Sequence, residues 1–356
     1  MRVYVSGGGT GGHFFPALAF LECLEEELLN PCFIGSQRGI EFRLREAIPF
    51  EKFFVPAHPF MGRSIKDKLV ALYQLAKGTI WTYKRLEKGI SLVFGGYASL
   101  PLGLASLLKG LPLFIHEQNS VPSQTNRLLG RFAKRVFITF EHTRSFFPTE
   151  KVLKVGLPIR KRLLDGLKIS REEALKKLGL EDELTLLAVG GSQGASFLNR
   201  LAMELFSKTG WQGVHITGEK DFETVRSFYE EKGLKVLALP FTQEMEVVYR
   251  ACNVALSRAG ASTLSELSLY RIPSLLIPFP YAVYNHQYYN AKEIEELGGA
   301  LVIEQKEASL EKVIRGIETL LKDIEKYSHR ISSFANPFAC KDMWNYIKMM
   351  IKNQRG

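Results

Sequence analysis

Two glycine-rich segments place backbone N–H groups where an anion can bind. The segment GGGTGGH at 7–13 follows the apolar run VYV, and GGSQGA at 190–195 follows LLAV. Because each precedes a helical pattern, we predict a strand, a tight turn and a helix whose positive end favours phosphate. One such turn is weak evidence, since glycines also serve tight packing. Two of them predict two similar domains that face each other across a cleft.

His13 and Glu117 are the side chains best suited to move a proton. His13 lies at the tip of the first loop, where an imidazole can take the proton of a substrate hydroxyl. Glu117 lies in HEQN at 116–119, directly after the predicted strand at 113–115. A lone histidine is more often structural, but its place in the predicted cleft favours a role in catalysis or in binding the substrate that carries this hydroxyl, the acceptor. The sequence does not rank the two residues as general base.

Strand-like and helical patterns alternate along the chain, as in doubly wound α/β domains. The predicted strands are 3–5, 32–34, 92–94, 113–115 and 135–138, then 186–189, 214–217, 235–239, 254–256 and 274–277. Such sheets bind ligands at the carboxyl ends of their strands, where both glycine loops fall. We predict an N-terminal domain at 1–160, a C-terminal domain at 161–340, and a final helix at 341–356.

The basic excess of the chain lies in its first half. Of 356 residues, 46% are apolar, which suffices for two cores. Residues 1–160 carry 21 Lys and Arg against 12 Asp and Glu, whereas the remainder of the chain is nearly balanced. Such an excess indicates an acidic binding partner, namely nucleic acid, an anionic membrane surface or a phosphorylated substrate, or else a solvated basic face without function.

The cysteines and the apolar runs bear on the cellular compartment. The four cysteines contain no Cys-x-x-Cys pair, so we predict neither a disulfide nor a zinc site but buried thiols. No run of about 18 uncharged apolar residues occurs, and the N-terminus is typical of a strand and a helix rather than a signal peptide. We therefore expect a chain that stays in the cytoplasm and does not span a membrane.

A Rossmann dehydrogenase is the first enzyme class that the loops suggest. Gly7, Gly9 and Gly12 match its Gly-x-Gly-x-x-Gly spacing. That class also needs a carboxylate after the second strand to hold a ribose, but GSQR stands at 35–38. His13 directly after the glycines also favours a reactive group at this turn over a dinucleotide cradle. The sequence therefore disfavours a dehydrogenase.

Five segments together resemble the MurG family of N-acetylglucosaminyltransferases of peptidoglycan synthesis. In chain order they are GGTGGHxxPA at 8–17, GGY at 95–97, HEQN at 116–119, GGSQGA at 190–195 and SRAGASTLSE at 257–266. The resemblance covers nearly the whole chain. It implies a GT-B fold, with two Rossmann-like domains and the donor sugar nucleotide mainly in the C-terminal one. It also implies that the final helix at 341–356 returns to the N-terminal domain.

The resemblance also implies the reaction. N-acetylglucosamine moves from UDP-N-acetylglucosamine to the 4-hydroxyl of the muramoyl sugar of lipid I, with inversion, and the product is lipid II. UDP leaves with negative charge, which backbone N–H groups and helix ends can stabilise without a metal. No Asp-x-Asp motif is present, so we expect neither a metal nor a cofactor.

The resemblance assigns roles to residues of both halves. Glu266 accepts the ribose hydroxyls, which suits a carboxylate, although a glutamate also suits a helix N-terminus. Ser192 donates to a phosphate oxygen, and Arg160 adds a positive charge, although an arginine in a linker is usually a surface residue. The implied donor contacts are Thr10, Gly11, Gly12, Asn119, Arg160, Ser192, Thr242, Ala261, Ser262, Thr263, Leu264, Ser265, Glu266 and Gln287. The implied acceptor contacts are Tyr97 and Asn126.

Three positions depart from the family pattern. His286 stands where relatives often carry the first of two glutamines, before the sugar contacts implied for Gln287 and Asn290. Thr242 replaces an aliphatic residue near the uracil, and Leu157 stands where an asparagine is usual. These departures concern single donor contacts and not the reaction class.

The segment between Pro59 and Gly89 mixes apolar and basic side chains. We expect one stripe, including Leu69, Leu72 and Ala76, to face the core. The remaining apolar surface with Trp81 and the basic flanks predict a helix that rests on anionic lipid headgroups. The chain is then a peripheral protein on the cytoplasmic face of the cell membrane.

Two other functions stay open beside the transferase. A non-hydrolysing UDP-sugar epimerase of the same fold would need no membrane surface. A non-catalytic membrane-binding or nucleic-acid-binding module would leave the second glycine loop unexplained. The transferase is favoured, with UDP-N-acetylglucosamine, lipid I and an anionic membrane as partners, cell-wall synthesis proteins as further candidates, and no nucleic acid.

Overall fold

The chain forms two compact units in a computed structural model. The described residues are 1–25, 31–59, 64–190 and 195–352. The first unit contains Met1–Lys161 and Pro337–Gly356, and the second contains Arg162–Asn336. Each unit is built on one parallel sheet, and every strand predicted from the sequence is present.

The sheet of the first unit has seven parallel strands in the order β3-β2-β1-β4-β5-β6-β7. They are β1 (Arg2–Ser6), β2 (Pro31–Ser36), β3 (Glu51–Val55), β4 (Gly89–Val93), β5 (Leu113–Glu117), β6 (Arg135–Ile138) and β7 (Val152–Lys154). The helices are α1 (Gly11–Glu25), α2 (Ile40–Arg43), α3 (Ile65–Arg85), α4 (Leu100–Lys109), α5 (Gln124–Gly130) and, at the end of the chain, α15 (Ala339–Lys352).

The second unit has six parallel strands in the order β10-β9-β8-β11-β12-β13. They are β8 (Thr185–Val189), β9 (Gln212–Ile216), β10 (Val236–Leu239), β11 (Val254–Ser257), β12 (Ser274–Leu276) and β13 (Ala300–Val302). The helices are α6 (Lys161–Asp165), α7 (Arg171–Leu178), α8 (Ser196–Thr209), α9 (Phe222–Glu231), α10 (Met245–Ala251), α11 (Ala261–Leu269), α12 (His286–Glu296), α13 (Leu310–Lys322) and α14 (Ile324–Ser332).

Burial and capping explain where these strands and helices form. The central strands β5 and β8 are buried along their whole length, as parallel strands covered on both faces must be. Ser170 and Glu173 form a capping box at the start of α7, each side chain bonding the backbone of the other. The sheets therefore fix the positions of the loops at their carboxyl ends.

The last helix, α15, packs on the first unit. Trp344 and Ile347 join a core cluster that also contains Phe20 of α1. Cys23 and Cys340 form a disulfide between α1 and α15, so the prediction of four unpaired thiols is wrong for this pair. The sequence does not reveal this pair because 317 residues separate the two cysteines. Cys32 and Cys252 are buried free thiols.

Among the residues of α3 whose burial is described, the buried ones are small: Ala71, Gly78, Thr79 and Thr82. Leu69 and Leu72 are 64% and 58% exposed, and Ala76 is exposed too, so the prediction that they face the core is wrong. Buried residues of α3 include Gly78, where a Cβ would come 2.5 Å from the Pro56 carbonyl oxygen. Because small residues line the buried face, the spacing of the large ones misidentified it.

Trp81 lies on the inner side of α3. It is half-buried, and its ring packs edge-on against Phe53 with the Arg85 guanidinium 3.5 Å from its centroid. Trp81 therefore packs partly against the protein, and its contact with lipid stays a prediction. Residues 60–63 of the same predicted surface lie outside the described residues. Within the described ranges, the helices are all too short or too polar to cross a membrane.

Candidate active site

The first glycine loop, between β1 and α1, is closed around an internal carboxylate. Glu41 is fully buried, and its Oε2 accepts from Gly9 N at 2.8 Å. Its Oε1 accepts from Ser36 Oγ at 2.7 Å and Ser36 N at 3.2 Å. A Cβ at Gly8 would come 2.4 Å from the Glu41 carboxyl carbon, so glycine is required there. The inner N–H of the loop thus already has an anion.

The outer part of this loop is open to solvent. Thr10 and Gly12 are exposed and Gly11 is half-exposed at the N-terminus of α1, where N–H groups point out of the helix. Tyr97 packs its ring against Gly9, where a Cβ would come 2.7 Å from Tyr97 Cε1. Tyr97 is half-buried and therefore borders the loop.

His13 is half-buried in the first turn of α1. Its Nδ1 lies 2.9 Å from Gln118 Oε1. Burial lowers the pKa of His13 below its usual value and outweighs the Gln118 amide, the Phe94 carbonyl and the Glu41 carboxylate, which raise it. The ring is therefore neutral at pH 7, the form that can accept a proton.

Glu117 anchors the turn between β5 and α5. Its Oε1 accepts from Asn119 N at 3.0 Å, and its Oε2 accepts from Ser123 N at 3.1 Å and Asn126 Nδ2 at 2.7 Å. Burial raises the pKa of Glu117 to about 7 in spite of these donors. Glu117 and Asn126 are both fully buried, whereas Asn119 is half-buried. The carboxylate is thus occupied with holding the turn.

Arg160 lies at the end of the first unit. Its guanidinium carbon is 5.2 Å from the centroid of the Phe15 ring on α1, and it is half-exposed. The nearby Leu157, which departs from the family pattern, is buried. Residues 10–13, Tyr97 and residues 117–126 thus come together at the carboxyl edge of the first sheet, with Arg160 beside α1.

In the second unit, α11 carries buried hydroxyls near its N-terminus that have no hydrogen-bond partner among the described residues. Ser265 is 1% exposed, and Ser262 and Thr263 are half-buried. Among the described residues, nothing hydrogen-bonds to Ser262 Oγ or Ser265 Oγ, and the N-cap residue Gly260 has no side chain to cap the helix. Buried polar groups are normally satisfied, so these hydroxyls and the free helix N–H groups indicate a ligand with acceptor oxygens.

Glu266 lies one turn further along α11 and is held by a tyrosine. Tyr249 donates its hydroxyl to Glu266 Oε2 at 2.8 Å. Tyr249 is buried against the ring of Tyr270, at a centroid distance of 5.3 Å, and Tyr270 in turn donates to the Leu163 carbonyl. The carboxylate therefore has a fixed orientation on a rigid support.

Gln287 has its amide orientation fixed by two backbone donors. Its Oε1 accepts from Ala259 N at 3.2 Å and from Phe279 N at 3.0 Å. The Nε2 group is therefore the end of Gln287 that can meet a sugar hydroxyl, as a donor. Asn290 is fully buried and donates to the Ala259 carbonyl at 3.0 Å, so it braces the same loop from inside.

The remaining predicted donor contacts have different surroundings. Thr242 is half-buried, and its Oγ1 accepts from Glu244 N at 3.0 Å in the turn before α10. His286 Nδ1 bonds the Val283 carbonyl at 2.8 Å in the turn before Gln287. Ala261 and Leu264 are buried in α11. Ser192 lies outside the described residues.

Three residues near these sites were not predicted to matter. Gln118 and Arg258 belong to the quoted motifs, but no role was assigned to them; Tyr249 carries no motif signal at all. Arg258 is buried, with its guanidinium on the carbonyls of Ile277 and Pro278, and burial lowers its pKa to about 10. It therefore remains a cation at neutral pH.

Known proteins match this chain over most of its length. The Glycosyltransferase family 28 N-terminal domain matches residues 3–138, and the C-terminal domain of the same family matches residues 185–341. A protein of Aquifex aeolicus named UDP-N-acetylglucosamine--N-acetylmuramyl-(pentapeptide) pyrophosphoryl-undecaprenol N-acetylglucosamine transferase is 47% identical over 337 residues, covering 93% of this chain and 95% of that protein. The chain belongs to this transferase family.

Two further relatives agree with the assignment. A family member from a Sulfurihydrogenibium species is 37% identical over 345 residues, covering 94% of each chain. The crystal structure of MurG from Acinetobacter baumannii superposes with a TM-score of 0.77 at 26% identity and covers 98% of this chain and 99% of that one. The GT-B fold of two doubly wound domains is thus confirmed, while their arrangement across a cleft stays a prediction.

Proposed function

We propose that this chain moves N-acetylglucosamine from UDP-N-acetylglucosamine to the 4-hydroxyl of the muramoyl sugar of lipid I and forms lipid II with inversion. The observation that carries the proposal is the 47% identity with the Aquifex aeolicus transferase over 93% of the chain. Membership of the transferase family favours this reaction over the epimerase, and over a module without catalysis.

The donor binds the second unit in this proposal. The diphosphate oxygens accept from Ser262 and Ser265 and from the first N–H groups of α11, whose buried hydroxyls lack partners among the described residues. Glu266 accepts the ribose hydroxyls, and Gln287 donates through Nε2 to the sugar. The other predicted contacts keep their assignment: Thr10, Gly11, Gly12, Asn119, Arg160, Ser192, Thr242, Ala261, Thr263 and Leu264.

His13 is the proposed general base, and Glu117 is a support. His13 is only half-buried and has a lowered pKa, so it is neutral and can accept the proton of the 4-hydroxyl. Glu117 is fully buried, and three donors occupy its two oxygens. Tyr97 borders the acceptor, and Asn126 contributes by holding the turn under it.

The bond changes balance without a further reactant. The hydroxyl oxygen attacks the anomeric carbon as its proton passes to His13, and the bond to the β-phosphate oxygen breaks with its electron pair leaving on UDP. We propose that the α11 N-terminus, rather than a metal, stabilises that charge. In the described part of the chain, His, Cys, Asp and Glu side chains form no group of three that could hold a cation.

The acceptor is lipid-linked, and α3 is the proposed membrane contact. Leu69, Leu72, Tyr73 and Ile80 are all more than half exposed, and Lys66 and Lys68 are exposed beside them. Apolar side chains flanked by lysines suit the headgroup region of an anionic membrane. The chain is thus proposed to act as a peripheral protein at the cytoplasmic face of the cell membrane, where cell-wall synthesis proteins are candidate partners.

NMR of the donor separates the transferase from the epimerase. Incubated without lipid I, the enzyme should leave the configuration of UDP-N-acetylglucosamine unchanged, and addition of lipid I should release UDP. Isomerisation of the sugar without an acceptor would identify an epimerase instead. Neither reaction, from protein whose fold is verified by circular dichroism, would favour a binding module.

A further inference from the structure

A chain of buried hydrogen bonds runs through the first unit behind His13. His116 Nε2 lies 2.9 Å from the Gly156 carbonyl oxygen, and Gln118 Nε2 lies 3.2 Å from His116 Nδ1 and 3.0 Å from the His116 carbonyl oxygen. Gln118 Oε1 then lies 2.9 Å from His13 Nδ1. His116 and Gln118 are both fully buried, so water does not compete for these bonds.

The proton positions in this chain follow from its far end. The Gly156 carbonyl can only accept, so His116 Nε2 carries a hydrogen. Burial lowers the pKa of His116 to about 4, so the ring is neutral and its Nδ1 is an acceptor. Gly156 has φ +84°, a conformation in which glycine is favoured.

The amide of Gln118 has one orientation that satisfies these neighbours. Both the His116 carbonyl and His116 Nδ1 are acceptors, so the NH₂ group of Gln118 faces them and the amide oxygen faces His13. An amide oxygen can only accept, so His13 Nδ1 carries the hydrogen. In the neutral ring, the lone pair is then on Nε2.

We propose that Gln118 and His116 are positioning residues that hold His13 in the tautomer whose Nε2 can accept the proton of the acceptor hydroxyl. This inference rests on the proposed function, in which His13 is the general base. The hydroxyl proton ends on His13 Nε2, and Nδ1 keeps its hydrogen bond to Gln118. Because the Gln118 amide is neutral, it fixes the His13 ring without adding a further carboxylate beside that of Glu41.

The groups that act on the His13 ring come from three elements. Gln118 follows β5, the Phe94 carbonyl follows β4, and the Glu41 carboxylate comes from α2. All three raise the pKa of His13, and burial lowers it by more. Replacing Gln118 by glutamate adds an acceptor that is charged when ionised, which favours the imidazolium.

The tautomer can be measured directly, without any transfer reaction. In protein labelled with ¹⁵N-histidine, two-bond proton–nitrogen correlations distinguish Nδ1–H from Nε2–H, and the His13→Asn variant identifies the His13 signals among the seven histidines. We expect the Nδ1–H form in the wild type, and its loss in Gln118→Leu. An Nε2–H ring in the wild type would overturn the proposal.

Kinetics then separate positioning from packing. Gln118→Leu should lower kcat by about 10- to 10³-fold with little change in UDP affinity, since a wrong tautomer abolishes base catalysis. Gln118→Glu should move the acidic limb of the pH–rate profile upward by about one unit or more. If folded Gln118→Glu protein has the same pH–rate profile as the wild type, the proposal is contradicted. This variant also provides the test if Gln118→Leu fails to fold.

Gln212 provides the matched control. It is a buried glutamine of the second unit that donates to the Glu181 carbonyl and Thr185 Oγ1 and accepts from Glu181 N. Gln212→Leu loses the same kind of bonds, so it should change stability but neither the His13 tautomer nor the pH–rate profile. If the Nδ1–H tautomer is found but no transfer occurs with lipid I, the proposed function fails while the hydrogen-bond assignment stands.

Discussion

Replacing Glu266 by alanine should weaken UDP binding by about 10- to 150-fold. The carboxylate is the proposed acceptor for the ribose hydroxyls, and a hydrogen bond to a charged group contributes about 1.5–3 kcal/mol, where 1.4 kcal/mol is a factor of ten. Tyr249 already fixes Glu266 Oε2 at 2.8 Å, so little ordering of the carboxylate remains to oppose binding.

Tyr249→Phe perturbs the same contact more gently. It removes one hydroxyl and leaves the carboxylate, so UDP binding must then order the Glu266 side chain at a cost of about 0.5–1.5 kcal/mol, or about 2- to 12-fold in UDP affinity. The buried ring of Tyr249 keeps its packing against Tyr270, which limits any change in stability.

Isothermal titration with UDP and with 2′-deoxy-UDP measures both effects. The wild type should prefer UDP, and Glu266→Ala should lose most of that preference. Glu172→Ala is the matched control, because Glu172 is an exposed glutamate in the first turn of α7. Unchanged UDP affinity in Glu266→Ala, or an unchanged preference for UDP over 2′-deoxy-UDP, would assign Glu266 to helix stabilisation alone.

Four further outcomes are expected. His13→Ala should lower turnover by about 10²–10⁴-fold while UDP still binds, and near-normal turnover in this variant would make Glu117 the next candidate for the base. Because the base must be neutral and burial lowers the pKa of His13, wild-type turnover should fall only as the pH drops below the usual histidine pKa. Excess chelator should leave the rate unchanged, and a strict requirement for magnesium or manganese would contradict the stabilisation of UDP by α11. Binding to anionic vesicles should lose the part that resists high salt in the double variant Leu69→Ser, Leu72→Ser, and the part that high salt weakens in the double variant Lys66→Gln, Lys68→Gln. Equal binding by the wild type and both variants would assign α3 to another partner. Thiol titration of unfolded, unreduced protein should find Cys32 and Cys252 free and Cys23 and Cys340 protected, and four reactive thiols would exclude the disulfide.

The sequence predicted the sheets well because their strands are buried on both faces. The uninterrupted apolar runs at 113–115 and 186–189 are found as the cores of β5 and β8. Strands β3, β7 and β13 were missed; they end their sheets, and their burial is mixed, so their apolar pattern is weaker.

Features that depend on distant contacts could not be predicted. The spacing of large residues assigned Leu69 to the core, but small residues such as Gly78 form the buried face of α3. The first glycine loop was expected to bind an anion, and no local pattern shows that Glu41 already supplies one. Gln118 bonds to His13 across 105 residues and Tyr249 bonds to Glu266 across 17, and a single sequence contains no signal for such pairs.

Transfer of label to lipid I measures the proposed reaction itself. The enzyme is incubated with UDP-N-acetylglucosamine labelled in the sugar, with and without lipid I, and the lipid and aqueous phases are separated. We expect label to enter the lipid phase in proportion to UDP released, only when lipid I is present, and to be joined to the muramoyl 4-oxygen in the β configuration. Label that stays in the aqueous phase in the presence of lipid I, with correctly folded enzyme, would contradict the proposed function.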